Sequence, residues 1–297
     1  MEATLAGTLR AHGYATAGFS AHTAIGPEHN LDQGFDSFAV IKDPRPFVKT
    51  DASAVNDAVW QWIDARRGAT APYFLYLHYM DVHLPYRAHR GLTAPRQADV
   101  GLNDLQLSTN VTQGPWEGDE KRAALWRFTA AERARLRELY DGEARYVDGR
   151  IAELRAGLQQ RTGRAPLVVV TADHGEEFGE HDVYGHATTL YEAAIHVPLV
   201  ISVPGGPARR VGEPVSVGGL APALLARLAI AAPPALHIPG FRIDQDAAPA
   251  AATFAYAELL DTRALTLRAH ERGIVGDAAK LLETPAGEQL LFVEDPA

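Results

Sequence analysis

Leu167-Val168-Val169-Val170-Thr171-Ala172-Asp173-His174-Gly175-Glu176 sets an apolar, β-branched run directly against a polar cluster. A run of this kind reads as a strand covered on both faces, and in open α/β sheets the ligand site lies beyond the carboxyl ends of such strands. Asp173 and His174 fall at that end. A carboxylate beside an imidazole suits a divalent cation, and Gly175 allows close backbone approach or a sharp turn. Alone, the triplet also reads as an N-cap aspartate followed by a surface histidine. Its surroundings weigh against that reading.

Around this stretch the chain alternates helix and strand patterns. Residues 4–12 read as a short helix stopped by Gly13, and residues 14–19 as the next strand. Residues 51–67 carry Val55, Ala58, Val59, Trp62 and Ile63 at helical spacing, with Gly68 as the stop. Thr129-Ala130-Ala131-Glu132 has the form of a capping box and opens a long helix towards Arg161. Leu136, Leu139, Tyr140, Tyr146, Val147, Ile151 and Leu154 would face the sheet, leaving the helix's many charges as a solvated face. Residues 197–203 form another strand and 216–230 another helix. The alternation predicts an α/β fold, a mainly parallel sheet flanked by helices, with a small carboxyl-terminal antiparallel subdomain. The Ala/Pro-rich run 231–252 reads as a linker, which divides the chain into a catalytic domain, residues 1–235, and a small subdomain, residues 236–297.

Composition bounds the partners. The chain has 297 residues, 46% of them hydrophobic, enough to bury a substantial core. A net charge of −9 argues against nucleic acid as the main partner, so an anionic substrate must be met locally by a metal and histidines. With no cysteine, disulfides and thiolate metal sites are excluded. No apolar run reaches the length of a membrane span, and Met1-Glu2-Ala3-Thr4 does not read as a signal peptide. Compartment and oligomeric state stay open.

Downstream of the opening stretch come Glu177-Phe178-Gly179-Glu180-His181, then Gly185-His186, Leu190-Tyr191-Glu192 and Val197-Pro198-Leu199. Upstream, Tyr73 to Tyr86 contains Tyr79-Met80-Asp81-Val82-His83-Leu84-Pro85-Tyr86. In this order the motifs resemble the sulfatase family of the alkaline phosphatase superfamily. There an Asp-His/Asn-Gly motif precedes a Gly-Lys/His element, a Leu-Tyr-Glu helix and a Val-Pro-Leu strand, and another strand ends in Met-Asp-x-His-x-Pro-Tyr. Residues 5–38, 139–148 and 280–296 follow the family's order too, so the resemblance covers most of the chain.

The resemblance implies roles. Asp173 and His174 would hold a divalent cation, Ca²⁺ by family habit, although an imidazole ligand also suits Mn²⁺ or Zn²⁺, and oxygen ligation Mg²⁺. His83 and His186 would contact the ester's oxygens, His83 being also a candidate acid for the leaving group and His186 alternatively a ligand to a second metal. Glu176 or Glu177 would orient His174, and His181 is a weaker candidate. The long polar stretch 87–128, with Trp116 and Trp126, would wall a pocket for a small-molecule or carbohydrate sulfate ester.

Two departures accompany the match. The family's opening strand with paired aspartates is not found, and no serine is followed by x-Pro-x-Arg, the motif whose Cys or Ser becomes formylglycine. Near Gly18-Phe19-Ser20-Ala21-His22 the family's Gly-Lys-x-His element lacks its lysine. The expectation is therefore a sulfate-ester hydrolase read from an incomplete chain, weak or inactive as given. The alternatives are a phosphate-ester hydrolase or phosphotransferase of the same superfamily, or a noncatalytic anion- or partner-binding relative.

Overall fold

The computed structural model describes residues 3–45, 48–103, 128–180, 184–186, 189–236, 243, 255–261, 268–276, 279–283 and 289–293. The chain forms two compact units. One comprises Met1–Thr112, Ala134–Pro166 and Pro233–Leu236, and the other Gln113–Arg133, Leu167–Ala232 and His237–Ala297.

In the first unit, helix α1 (Leu5–Ala11) begins where the Thr4 hydroxyl accepts the Gly7 N–H at 2.9 Å. It ends at Gly13, whose φ of 84° turns the chain into strand β1 (Ala15–Ser20). β1 is the centre of a three-stranded parallel sheet, with β2 (Ser37–Val40) on one side and β3 (Tyr73–His78) on the other. Helix α2 (Ala52–Asp64) is capped by the Asp51 carboxylate, which accepts the Ser53 N–H at 2.8 Å.

One face of the sheet carries Ala17 and Phe19 of β1. Against them pack Val55, Val59, Trp62 and Ile63 of α2 and Leu154 and Leu158 of helix α3 (Ala130–Thr162), all buried. Each such aliphatic or aromatic side chain contributes about 1.5–3 kcal/mol on burial. Gly18 belongs to the opposite face, where Phe38 lies so close that a Cβ on residue 18 would come within 2.3 Å of its ring. Phe35 closes that face, its ring edge-on to Phe38 at 5.4 Å and stacked on Phe74 at 5.9 Å.

The expected capping box forms: Thr129 Oγ1 accepts the Glu132 N–H, and the Glu132 carboxylate accepts the Thr129 N–H at 2.7 Å. The charges of α3 are not all solvated, however. Arg135 and Glu143 are buried beside Leu136 and Leu139. The Arg135 guanidinium forks onto the Asp99 carboxylate at 2.9 and 2.7 Å.

The second unit is built from antiparallel pairs. Strand β4 (Val168–Thr171), formed by the apolar β-branched run before Asp173, pairs with β7 (Leu199–Ser202) antiparallel. It is half-buried, with Thr171 exposed, rather than covered on both faces, and Val200 of its partner is 58% exposed. A continuous β-branched run therefore marks a strand here without reporting its cover. Between the two strands lie a small hairpin, β5 (Glu177–Phe178) with β6 (Tyr184–Gly185), and the one-turn helix α4 (Glu192–Ile195). Helix α5 (Leu220–Arg227) follows β7. The carboxyl-terminal strands β8 (Ala255–Asp261), β9 (Arg268–Val275), β10 (Ala279–Glu283) and β11 (Gln289–Val293) form one antiparallel sheet in the order β11-β10-β9-β8. Lys280 of β10 ties this sheet to α4 through Glu192 at 3.1 Å.

No helix among the described residues is long and apolar enough to cross a membrane.

Candidate active site

The end of β4 is held by backbone geometry. The Gly175 N–H donates to the Ala194 carbonyl at 2.7 Å, satisfying an acceptor at the end of α4. A Cβ on residue 175 would meet the Ala193 carbonyl oxygen at 2.0 Å, so only glycine fits. The hairpin then folds back. Pairing of Glu177 with Gly185 sets residue 176 opposite residue 186, and Nδ1 of His186 lies 2.9 Å from Oε1 of Glu176. The His174 and His186 rings stack with centroids 4.0 Å apart and an interplanar angle of 25°.

Three of the four candidate residues thus come together: Asp173, His174 and His186. Glu176 orients His186 rather than His174, while Glu177 is fully buried and accepts the Thr189 hydroxyl at 2.6 Å. The carboxylate accepts, so Nδ1 of His186 carries the hydrogen and, in the neutral ring, the lone pair is on Nε2. His174 is set the same way, its Nδ1 donating to the Gly175 carbonyl at 2.8 Å. Its Nε2 lies 3.8 Å from Oδ1 of Asp173, whose side chain is 75% exposed.

A lone-pair nitrogen beside an open carboxylate is the donor chemistry of a divalent-cation site. These two residues supply two ligands, and a Ca²⁺ ion takes about six to eight oxygens. Among the described residues, the group of three carboxylates and imidazoles with ligand atoms within 4.8 Å of one another is elsewhere, at Asp81, His89 and Glu143. One member of that group already binds a cation: the Lys49 ammonium donates to Glu143 Oε1 at 3.0 Å.

His83 belongs to the first unit, in the segment that follows β3. Its Nδ1 donates to the Leu84 carbonyl at 2.8 Å, again leaving the lone pair on Nε2 in the neutral ring. Just before it, Asp81 is fully buried and accepts the Ala52 N–H at the start of α2 at 3.2 Å. Burial is the main cause that pushes the Asp81 carboxyl up to about 6, helped by the charges of Asp51 and Glu143. His89 binds Glu143 Oε2 through Nε2 at 2.5 Å and stacks on Tyr146 at 3.9 Å. His181, Trp116 and Trp126 lie outside the described residues.

A family model for sulfatases matches residues 1–230. The chain belongs to the sulfatase family. Among sulfatase relatives, it is 21% identical to human iduronate 2-sulfatase over 202 residues, 62% of this chain and 36% of that protein. It is 33% identical to mouse arylsulfatase K over 116 residues, 37% of this chain and 20% of that protein. The chain thus spans well under half the length of these curated relatives. Among solved structures it is similar to BT4656, solved in complex with its substrate D-glucosamine-2-N,6-O-disulfate. The TM-score is 0.68 at 16% identity, covering 98% of this chain and 75% of that one. A member of the alkaline phosphatase superfamily from Vibrio parahaemolyticus matches at a TM-score of 0.62 and 14% identity, over 99% of this chain and 61% of that one. The fold is therefore the alkaline phosphatase/sulfatase-like one, and sulfatases typically use a divalent metal.

Proposed function

We propose that this chain carries the metal-binding and ester-oxygen-binding half of a sulfatase site, acting on a small-molecule or carbohydrate sulfate ester. Asp173 and His174 are the metal ligands, Ca²⁺ being the favoured ion; His186 and His83 bind the ester's non-bridging and leaving oxygens. The observation that carries this reading is the stacked His174–His186 pair at the end of β4, with Glu176 fixing the His186 tautomer.

The physical demand is plain. Hydrolysis of a sulfate ester builds negative charge on the sulfuryl and leaving oxygens, and groups already aimed there lower the barrier without reorganising. A bound cation would supply electrostatic stabilisation of that charge. The histidines supply the rest: Nδ1 of His83 donates to the Leu84 carbonyl and Nδ1 of His186 to the Glu176 carboxylate, and these bonds fix the tautomer in which each ring would meet substrate. Once protonated, Nε2 donates to an ester oxygen, and His83 is the candidate to pass its proton to the leaving group. Similarity to a protein solved with a sulfated glucosamine supports a carbohydrate ester as substrate class.

Sulfuryl and phosphoryl oxygens make the same demands on these side chains, so a phosphate ester is the second reading. Hydrolysis of p-nitrophenyl sulfate and p-nitrophenyl phosphate, each with and without added Ca²⁺ and compared with Asp173→Ala, tests both. The expected result is weak, Ca²⁺-dependent release from the sulfate ester that Asp173→Ala abolishes. Equal rates in the two proteins would remove the metal assignment.

A further inference from the structure

Lys49, in the stretch between β2 and α2, has a side chain only 7% exposed. Its ammonium donates to the main-chain carbonyls of Asp81, His83 and Pro85, the last at 3.1 Å, and to the Glu143 carboxylate at 3.0 Å. Three N–H groups serve four acceptors, so one hydrogen is shared. The three carbonyls come from alternate residues of one short segment, which wraps around the charge. Glu143 also accepts the Arg87 N–H at 2.8 Å and binds His89. The segment on either side of His83 is thus fastened at both ends to one buried ion pair.

We propose that Lys49 is an internal cation that positions His83, gathering the carbonyls of residues 81, 83 and 85 so that the imidazole is held ready for an ester oxygen. This deepens the proposed function and rests on its assignment of His83 to substrate. Side chain and loop are coupled directly, because His83 Nδ1 donates to the Leu84 carbonyl. If the peptides turn, the ring turns with them.

The choice of residue is informative. A lysine is a compact charge whose donors diverge tetrahedrally and can collect converging carbonyls, whereas the planar guanidinium of arginine fits a carboxylate better than a ring of peptides. Burying an ammonium is costly: burial is the main cause that pulls the Lys49 ammonium down to about 8, against the raising influence of Glu143. An apolar side chain would fill the space with less penalty, so the charge is retained for the conformation it enforces. Of the Asp81, His89 and Glu143 group, Glu143 binds this cation directly and His89 binds Glu143.

Two readouts test it, in Lys49→Met, which keeps length and loses the donors, and in Lys49→Arg, which keeps the charge and changes its geometry. Hydrogen exchange in peptides covering residues 81–89 is expected to quicken about tenfold or more in both variants, while β1 keeps the wild-type rate. Sulfate-ester turnover is expected to fall in Lys49→Met but not to fall further when Lys49→Met is added to His83→Ala, because the lysine acts through that histidine. Unchanged exchange at 81–89 would overturn the proposal, and so would independent, additive losses in the double variant. If wild type hydrolyses neither ester, the proposed function fails, and the exchange experiment alone decides whether Lys49 holds the segment. If Lys49→Met does not fold, protection in Lys49→Arg equal to wild type counts against the proposal.

Discussion

Nδ1 of His186 lies 2.9 Å from Oε1 of Glu176, a carboxylate side chain only 5% exposed, and the β5–β6 register is what sets the two residues opposite each other. The pair fixes which nitrogen of His186 carries the hydrogen in the neutral ring. Replacing Glu176 by alanine frees the ring to rotate and to change tautomer. Turnover of a sulfate ester is expected to fall about 10- to 100-fold, the range for partners that orient a functional histidine. His186→Ala is expected to cost at least as much, and the double variant no more than His186→Ala alone. Steady-state kinetics of the three variants give the answer; additive losses would mean that Glu176 acts elsewhere.

Metal removal gives a second test. Asp173 is exposed and His174 partly so, and both are proposed as ligands of the cation. Dialysis against a chelator is expected to abolish turnover and re-addition of Ca²⁺ to restore it. Titration followed by calorimetry is expected to show binding in wild type and none in Asp173→Ala or His174→Ala. Binding undiminished in both variants would transfer the ion to other residues.

Much of this was legible in residue order. The Thr129/Glu132 box, the Gly13 stop and the apolar spacing of α2 are local rules that the fold obeys. The Asp173–His174–Gly175 cluster announced itself because an apolar run ended there abruptly. The Lys49–Glu143 pair did not. Glu143 follows Leu136 and Leu139 at seven and four residues, the spacing of one helical face, so a charge on the buried stripe was a visible signal. Nothing marked its partner: Lys49 stands in an aperiodic stretch, and sequence spacing cannot show that three carbonyls of a distant segment converge on it. The cover of β4 was also unreadable, since Val-Val-Val fills either a central strand or a half-buried one.

Gly175 offers a test of backbone packing. Its substitution by alanine drives a Cβ into the Ala193 carbonyl and breaks or strains the 2.7 Å bond to Ala194. Overpacking of this kind costs about 1–3 kcal/mol, and a lost buried hydrogen bond adds about 1 kcal/mol. Urea unfolding is expected to show destabilisation of about 2 kcal/mol or more. A variant within experimental error of wild type would mean that α4 moves freely from the end of β4.

Asp81 predicts an unusual pH response. Its carboxyl is raised from 3.8 to about 6, burial being the largest cause, so the folded protein binds its proton more tightly than the unfolded chain does. Between those two values the native state holds more protons, and stability therefore falls as pH rises through the window. The contribution is fully present below the unfolded value and lost above about pH 6. A rise of this size corresponds to about 3 kcal/mol at neutral pH. Asp81→Asn keeps an oxygen to accept the Ala52 N–H and carries no charge to bury. The variant is expected to be more stable than wild type by about 2–3 kcal/mol at pH 7.5, and equal to it near pH 3.5. Urea midpoints at the two pH values check the sign: a stabilisation that does not shrink on acidification would mean the asparagine acts by packing, and a destabilised variant at pH 7.5 would show that the charge is used rather than endured.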